Sequence, residues 1–141
     1  MDDGSEPITD EEMLYRRVPA SAGWYSPESG LKPEAFAPHK TLDTTGLSLS
    51  RAKYKSAEDA AQGQPGKSYY VVVLRAADLR GQGIAIEPKP LPGDPSHAEL
   101  PGLNSNNRKQ DLTLERQRNL VNMALRVERP FASAEEPLMP T

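Results

Sequence analysis

Tyr69-Tyr70-Val71-Val72-Val73-Leu74 is a run of six aromatic, β-branched and aliphatic residues with no polar interruption. A run this short does not make a stable helix, and its composition favours an extended chain. With no polar side to turn to water, it predicts a central strand buried on both faces. The fold must therefore supply neighbouring strands on either side and a covering layer above and below. Gly63, Pro65 and Gly66 mark a loop before the run, and Ala76 to Arg80 predicts one helical turn after it, stopped by Gly81 or Gly83.

The remaining punctuation predicts several more short elements. Thr9 and Glu12 fit a capping box for a brief helix. Met13 to Val18 reads as a strand ended by Pro19, with Leu14, Arg16 and Val18 on one face and Met13, Tyr15 and Arg17 on the other. Leu47-Ser48-Leu49 predicts a second strand, and Ser56 with Asp59 caps a small helix. Ile84 to Glu87 predicts a strand halted by Pro88. Leu120, Met123, Ala124 and Val127 recur at helical spacing, with Leu112, Leu114, Val121 and Leu125 partly extending that stripe. Leu125 to Phe131 reads equally as helix or strand.

Spacers this short leave little room for parallel crossovers. The expectation is an α+β domain with a small mixed sheet of about four or five short strands, short helices and one longer C-terminal helix. Residues 1–7 read as a disordered acidic tail, 8–129 as the single domain and 130–141 as a second disordered tail.

Glycine and proline together make 24 of the 141 residues, which implies a loop-rich object with a modest core. Cysteine is absent, which excludes disulfides, thiolate metal sites and cysteine nucleophiles. The net charge of -3 is too small to argue for nucleic acid. No apolar run approaches a membrane span, and the N-terminus lacks the pattern of a signal peptide, so a cytoplasmic protein is expected.

Chemistry concentrates at Asp94-Pro95-Ser96-His97-Ala98-Glu99-Leu100. If extended, this segment puts His97 and Glu99 on one face, where a carboxylate can orient an imidazole as an acid/base pair. A metal would need further ligands, and only His39 and scattered carboxylates remain, so neither metal nor cofactor is expected. Arg16 and Arg17 are candidate anion ligands, and Ser48 and Ser50 place two hydroxyls on one strand face. Whichever arginine faces the core must find a partner. Between Pro19 and Gly46 lie Trp24, Tyr25 and Phe36, aromatics able either to anchor a long loop or to contact a partner protein. Arg108, Lys109, Arg116, Arg118, Arg126 and Arg129 make the C-terminal third basic. Seven of the eight aromatics precede Val71, however, which argues against a base-stacking surface.

Leu14-Tyr15-Arg16-Arg17, Ala35-Phe36, Leu47-Ser48-Leu49 and Asp94-Pro95-Ser96-His97-Ala98-Glu99 together resemble a set of small bacterial hypothetical proteins. That resemblance implies no established activity. An early-strand Arg, Ser48-x-Ser50 and a late Glu99 also resemble the order found in ADP-ribosyltransferase-like domains. It would imply an arginine on a dinucleotide phosphate, serines bracing a strand and a glutamate on a ribose, although the second acidic or amide residue of the E-x-E or Q-x-E pair is missing. The leading expectation is a non-catalytic interaction module that binds another macromolecule, with a protein as the expected partner. The alternative is a domain or enzyme for a nucleotide or phosphorylated ligand that uses His97, Glu99 and a strand arginine.

Overall fold

A computed structural model describes residues 3–132, the side chain of Arg129 excepted. In chain order the elements are β1 (Met13–Pro19), β2 (Tyr25–Ser26), β3 (Gly30–Leu31), β4 (Leu47–Arg51), α1 (Ala57–Ala60), β5 (Ser68–Arg75), α2 (Ala76–Gly81), β6 (Glu87–Pro88), β7 (His97–Leu100), α3 (Asp111–Met123) and β8 (Arg126–Ala132). Short 3-10 turns at Ala20–Ala22 and Pro33–Phe36 punctuate the long first loop.

The fold is α+β. Six strands form one sheet in the order β6-β7-β4-β1-β5-β8, and β2-β3 is a separate small hairpin, so there are more strands than the sequence predicts. Each neighbouring pair is antiparallel. Strand β5 takes the central role its composition predicts: Val71, Val72, Val73 and Leu74 are all fully buried. Each contributes about 1.5–3 kcal/mol of transfer free energy. Both edge strands carry a proline, Pro88 in β6 and Pro130 in β8. Proline lacks the N–H that a further strand would need. Pro130 also falls where the register steps from Tyr69↔Phe131 to Val71↔Glu128, a bulge that accommodates the missing donor.

Register assigns the faces. Leu14 opposes Arg51 and Leu74, Arg16 opposes Val72, and Leu47 and Leu49 oppose Leu100 and Ala98. This face meets Phe36, Leu79, Leu103 and Leu120 in the main core. The opposite face carries a smaller cluster of Ala61, Tyr69 and Val71, flanked by Tyr15, Ala57 and Phe131.

Several sequence expectations change. Thr9 and Glu12 close a turn, not a helix, because the Glu12 carboxylate is drawn instead to Arg51. Ile84 closes α2 through its N–H to the Leu79 carbonyl and buries its side chain, so strand β6 begins only at Glu87 and includes Pro88. The chain from Arg126 to Ala132 is a strand. On α3 the buried residues are Thr113, Gln117 and Leu120, while Leu112 and Leu114 are exposed. Each of those leucines sits about 100° around the helix from Thr113 and so off the buried stripe. The expected N-terminal disorder gives way over residues 3–7. Ile8 is buried, and the carbonyls of Gly4 and Glu6 accept from Arg51. Gly4 has φ +94°, and a Cβ there would lie 2.8 Å from the Pro95 Cα, so only glycine seats this segment. Of the C-terminal tail, 130–132 belong to β8 and 133–141 lie outside the described residues.

With the Leu14 and Val18 face turned to the core, Arg16 is the inward arginine of β1, and Arg51 of β4 is a second one that sequence reasoning did not single out. Arg51 is fully buried, and four of its five N–H groups donate hydrogen bonds to oxygen. Nε and Nη2 grip Glu12 at 2.6 and 2.9 Å, and Nη1 donates to the Gly4 and Glu6 carbonyls at 3.1 Å each. The Glu6 carboxylate stands 3.5 Å from Nη2, and the Tyr54 ring lies 5.4 Å beneath the guanidinium. Glu12 raises the Arg51 pKa further above its already high ordinary value, outweighing burial.

Candidate functional site

Pairing between β1 and β4 ends at Tyr15↔Ser50, and beyond it the two strands part. Arg16 fills this fork. Its Nε donates to the Ala35 carbonyl at 3.0 Å and its Nη1 to the Ser48 carbonyl at 3.1 Å, replacing ladder bonds that the diverging strands cannot make. Burial lowers the pKa of the Arg16 guanidinium, and the Asp43 carboxylate opposes that shift.

On the other side of β4, Ser48 lies opposite Glu99 in β7 and Ser50 opposite His97. The extended segment thus puts His97 and Glu99 on one face, as their spacing predicts. An Asx turn delivers them: Asp94 Oδ1 accepts from the Ser96 N–H at 3.1 Å and from its hydroxyl at 2.5 Å. Partial burial pushes the Asp94 carboxyl up, but Ser96 and Lys55 outweigh it and hold the pKa below its ordinary value.

Ser48 is the centre of the resulting polar cluster. Its hydroxyl lies 3.0 Å from Asp43 Oδ1 and 3.3 Å from His97 Nε2. His97 Nδ1 faces the Lys89 carbonyl at 2.9 Å and must donate to it, since a carbonyl only accepts. The serine has one proton and two acceptors in reach, and the carboxylate is the nearer. That arrangement orders Ser48 rather than activating it as a nucleophile, which needs the base as its single acceptor. Glu99, almost fully buried, accepts from the Thr45 hydroxyl at 2.7 Å.

The candidates divide accordingly. Ser48, His97 and Glu99 share one face of β4 and β7, whereas Arg16 lies on the core face and meets this group only at the Ser48 backbone carbonyl. Arg17 projects from the opposite face of β1, its guanidinium 5.0 Å over the Tyr69 ring and bonded to the Gln62 carbonyl. Ser50 shares the cluster's face, but its hydroxyl has no partner among the described residues. Phe36 is fully buried in the core and out of reach of any partner, which corrects its placement as a contact residue. Trp24 is half-buried against the same core. Tyr25 packs edge-on to Tyr70 with ring centroids 4.8 Å apart. Both anchor the long loop.

Sequence reasoning missed Asp43, which organises the cluster. Besides Ser48 it accepts from the His39 N–H at 2.6 Å, while His39 Nδ1 accepts from the Thr41 and Leu42 N–H groups. The signal was the Asp-Thr-Thr-Gly turn immediately before Leu47. It also missed a shallow depression of about 380 Å³ lined by Lys40, Ser105, Asn106, Arg108 and Lys109. Among the described residues no three His, Asp or Glu side chains are grouped to hold a metal. No helix among them is long and apolar enough to cross a membrane.

No family model, no characterised protein and no solved structure matches this chain. Its function must be argued from its own residues.

Proposed function

We propose that this protein is a non-catalytic interaction module that binds another macromolecule, a protein before any other class. One observation carries the reading: the chemistry-bearing side chains of the sheet are committed to the protein's own backbone and to one another. Arg16 holds two carbonyls, His97 a third, Asp43 a serine and a turn, Glu99 a threonine. Among the described residues no buried side-chain nitrogen or oxygen lacks a partner. An enzyme site holds groups in reserve for its substrate, whereas a scaffold satisfies them internally.

The surface offers binding groups instead. Lys40, Arg108 and Lys109 have no ion partner among the described residues, and Leu42 on the same turn as Lys40 is 75% exposed. The test is affinity capture by the wild type and by Lys40→Ala/Arg108→Ala/Lys109→Ala, with folding checked by melting temperature. Partners recovered by the wild type and lost by the variant are expected. Identical recovery would sink the assignment of this surface.

The shared face of Ser48, His97 and Glu99, with Arg16 at the Ser48 carbonyl, favours a second reading, a site for a small polar or nucleotide ligand. Charge weighs against a phosphate there, because Asp43 and Glu99 offset the single Arg16 cation. Thermal shift with nicotinamide dinucleotides and ATP tests it: a ligand at about 100 times its Kd adds roughly 2.7 kcal/mol. A shift of several degrees that is lost in His97→Ala/Glu99→Ala would place this reading first.

A further inference from the structure

We propose that the depression between the His39–Asp43 turn and the chain before α3 recognises a phosphorylated side chain on a partner protein. This rests on the interaction-module reading and names what the module reads.

The first ground is charge. Most cationic side chains of the described chain have an internal oxygen: Arg51, Lys53, Lys55, Arg75, Arg80, Lys89 and Arg126 pair with carboxylates. Arg16, Arg17 and Arg116 donate to carbonyls. Lys32, Lys40, Lys67, Arg108, Lys109 and Arg118 have neither among the described residues, and three of these six, Lys40, Arg108 and Lys109, line one small concavity. Like charges held together raise one another's energy, and an anion placed among them relieves it.

The second ground is the framework. Ser105 N–H donates to the Asp43 carbonyl at 3.0 Å and ties the two walls together. The first wall is locked by the reciprocal bonds of the His39 N–H to the Asp43 carboxylate and the Asp43 N–H to the His39 carbonyl, and by the Thr41 and Leu42 N–H groups on His39 Nδ1. The second is locked by Asn104, whose Oδ1 accepts from the Asn106 and Asn107 N–H groups at 3.0 and 3.1 Å, and by Asn107 Oδ1, which accepts from the Asn104 N–H at 2.9 Å. Lys40 and Arg108 therefore rise from backbone that needs no ordering on binding, which keeps that part of the association cost low.

The third ground is selectivity. The lining is two lysines, an arginine, a serine and an asparagine, with no aromatic or apolar side chain. Such a lining suits a tetrahedral anion with many acceptor oxygens, and an arginine within a cationic group is the recurrent reader of phosphorylated motifs. It holds nothing on which a base could stack, which disfavours RNA. Leu42 stands exposed on the same turn, where it can meet an apolar residue flanking the phosphate.

The test uses full-length protein and a fluorescent peptide pool degenerate around a central phosphoserine, beside the same pool with serine and a short mixed-sequence RNA. Binding to the phosphorylated pool should be about tenfold tighter or more than to the serine pool. It should be lost in Lys40→Ala/Arg108→Ala/Lys109→Ala and kept in Lys67→Ala/Arg75→Ala/Lys89→Ala, which removes as much charge elsewhere. The first variant should melt no lower than wild type, since its three side chains hold nothing in the fold. Equal binding of the two pools overturns the proposal, and so does preferred, salt-sensitive binding of RNA. Phosphatase treatment of a lysate before affinity capture separates this inference from the reading beneath it. Partners lost on treatment support it; partners kept on treatment but lost in the first variant leave an interaction module that does not read phosphate. Capture of nothing in either condition removes both.

Discussion

Replacing Glu12 by leucine should destabilise the domain strongly, because it breaks a buried bidentate ion pair from one side. The substitution leaves the Arg51 guanidinium buried, with two of its five N–H groups losing their acceptors. Breaking a buried ion pair from one side costs about 3–5 kcal/mol. The Glu6 carboxylate remains 3.5 Å away and the Gly4 and Glu6 carbonyls still accept, so the lower end of that range, about 3 kcal/mol, applies. A domain of this size loses roughly 3–5 °C in Tm per kcal/mol, giving a fall of roughly 10–15 °C. Urea unfolding with thermal melting measures it, and an unchanged m-value would show that the two-state transition survives. Glu12→Leu/Arg51→Met should recover much of the loss, because a packed apolar pair replaces a buried ionic one at little net cost. If Glu12→Leu costs under about 1 kcal/mol, the figure typical of an exposed pair, the buried bidentate contact is not what secures the N-terminal segment.

The Glu6 carboxyl is held down to about 2 from an ordinary 4.5, chiefly by the Tyr54 hydroxyl with help from Lys53. The stability it supplies is fully present above pH 4.5 and is lost as pH falls toward 2; melting curves of wild type and Glu6→Gln should converge across that window. Asp43→Ala strands the Ser48 and His39 N–H groups and leaves the Ser48 hydroxyl only His97 Nε2, and should cost about 1–3 kcal/mol while hydrogen exchange over residues 39–48 quickens; unchanged exchange would show that the turn holds itself. Leu120→Ala should cost about 2–5 kcal/mol and Leu112→Ala within about 0.5, and a reversed order would mean that α3 presents its other face to the sheet.

Local rules carried much of the fold. The strand at Tyr69–Leu74, the Ser56 cap accepting from the Asp59 N–H at 3.1 Å, and the shared face of His97 and Glu99 all follow from periodicity and short-range hydrogen bonding. These features depend on neighbours within a few residues, so the sequence displays them. The two-residue strands β2 and β3 were not visible and the bounds of β6 were misplaced, because elements so short exist only where a partner strand already lies.

The site divides along the same line. Sequence spacing alone determined which residues share a strand face, and the missing cysteines removed whole classes of chemistry. It could not reveal that Arg51 rather than Arg16 or Arg17 is the fully buried cation, since that choice rests on Gly4, Glu6 and Glu12, which lie 39 to 47 residues away. Nor could it bring Lys40 beside Arg108, or Asp43 beneath Ser105. Burial, charge pairing and concavity are properties of chain segments meeting in space, and only the tertiary structure decides which segments meet.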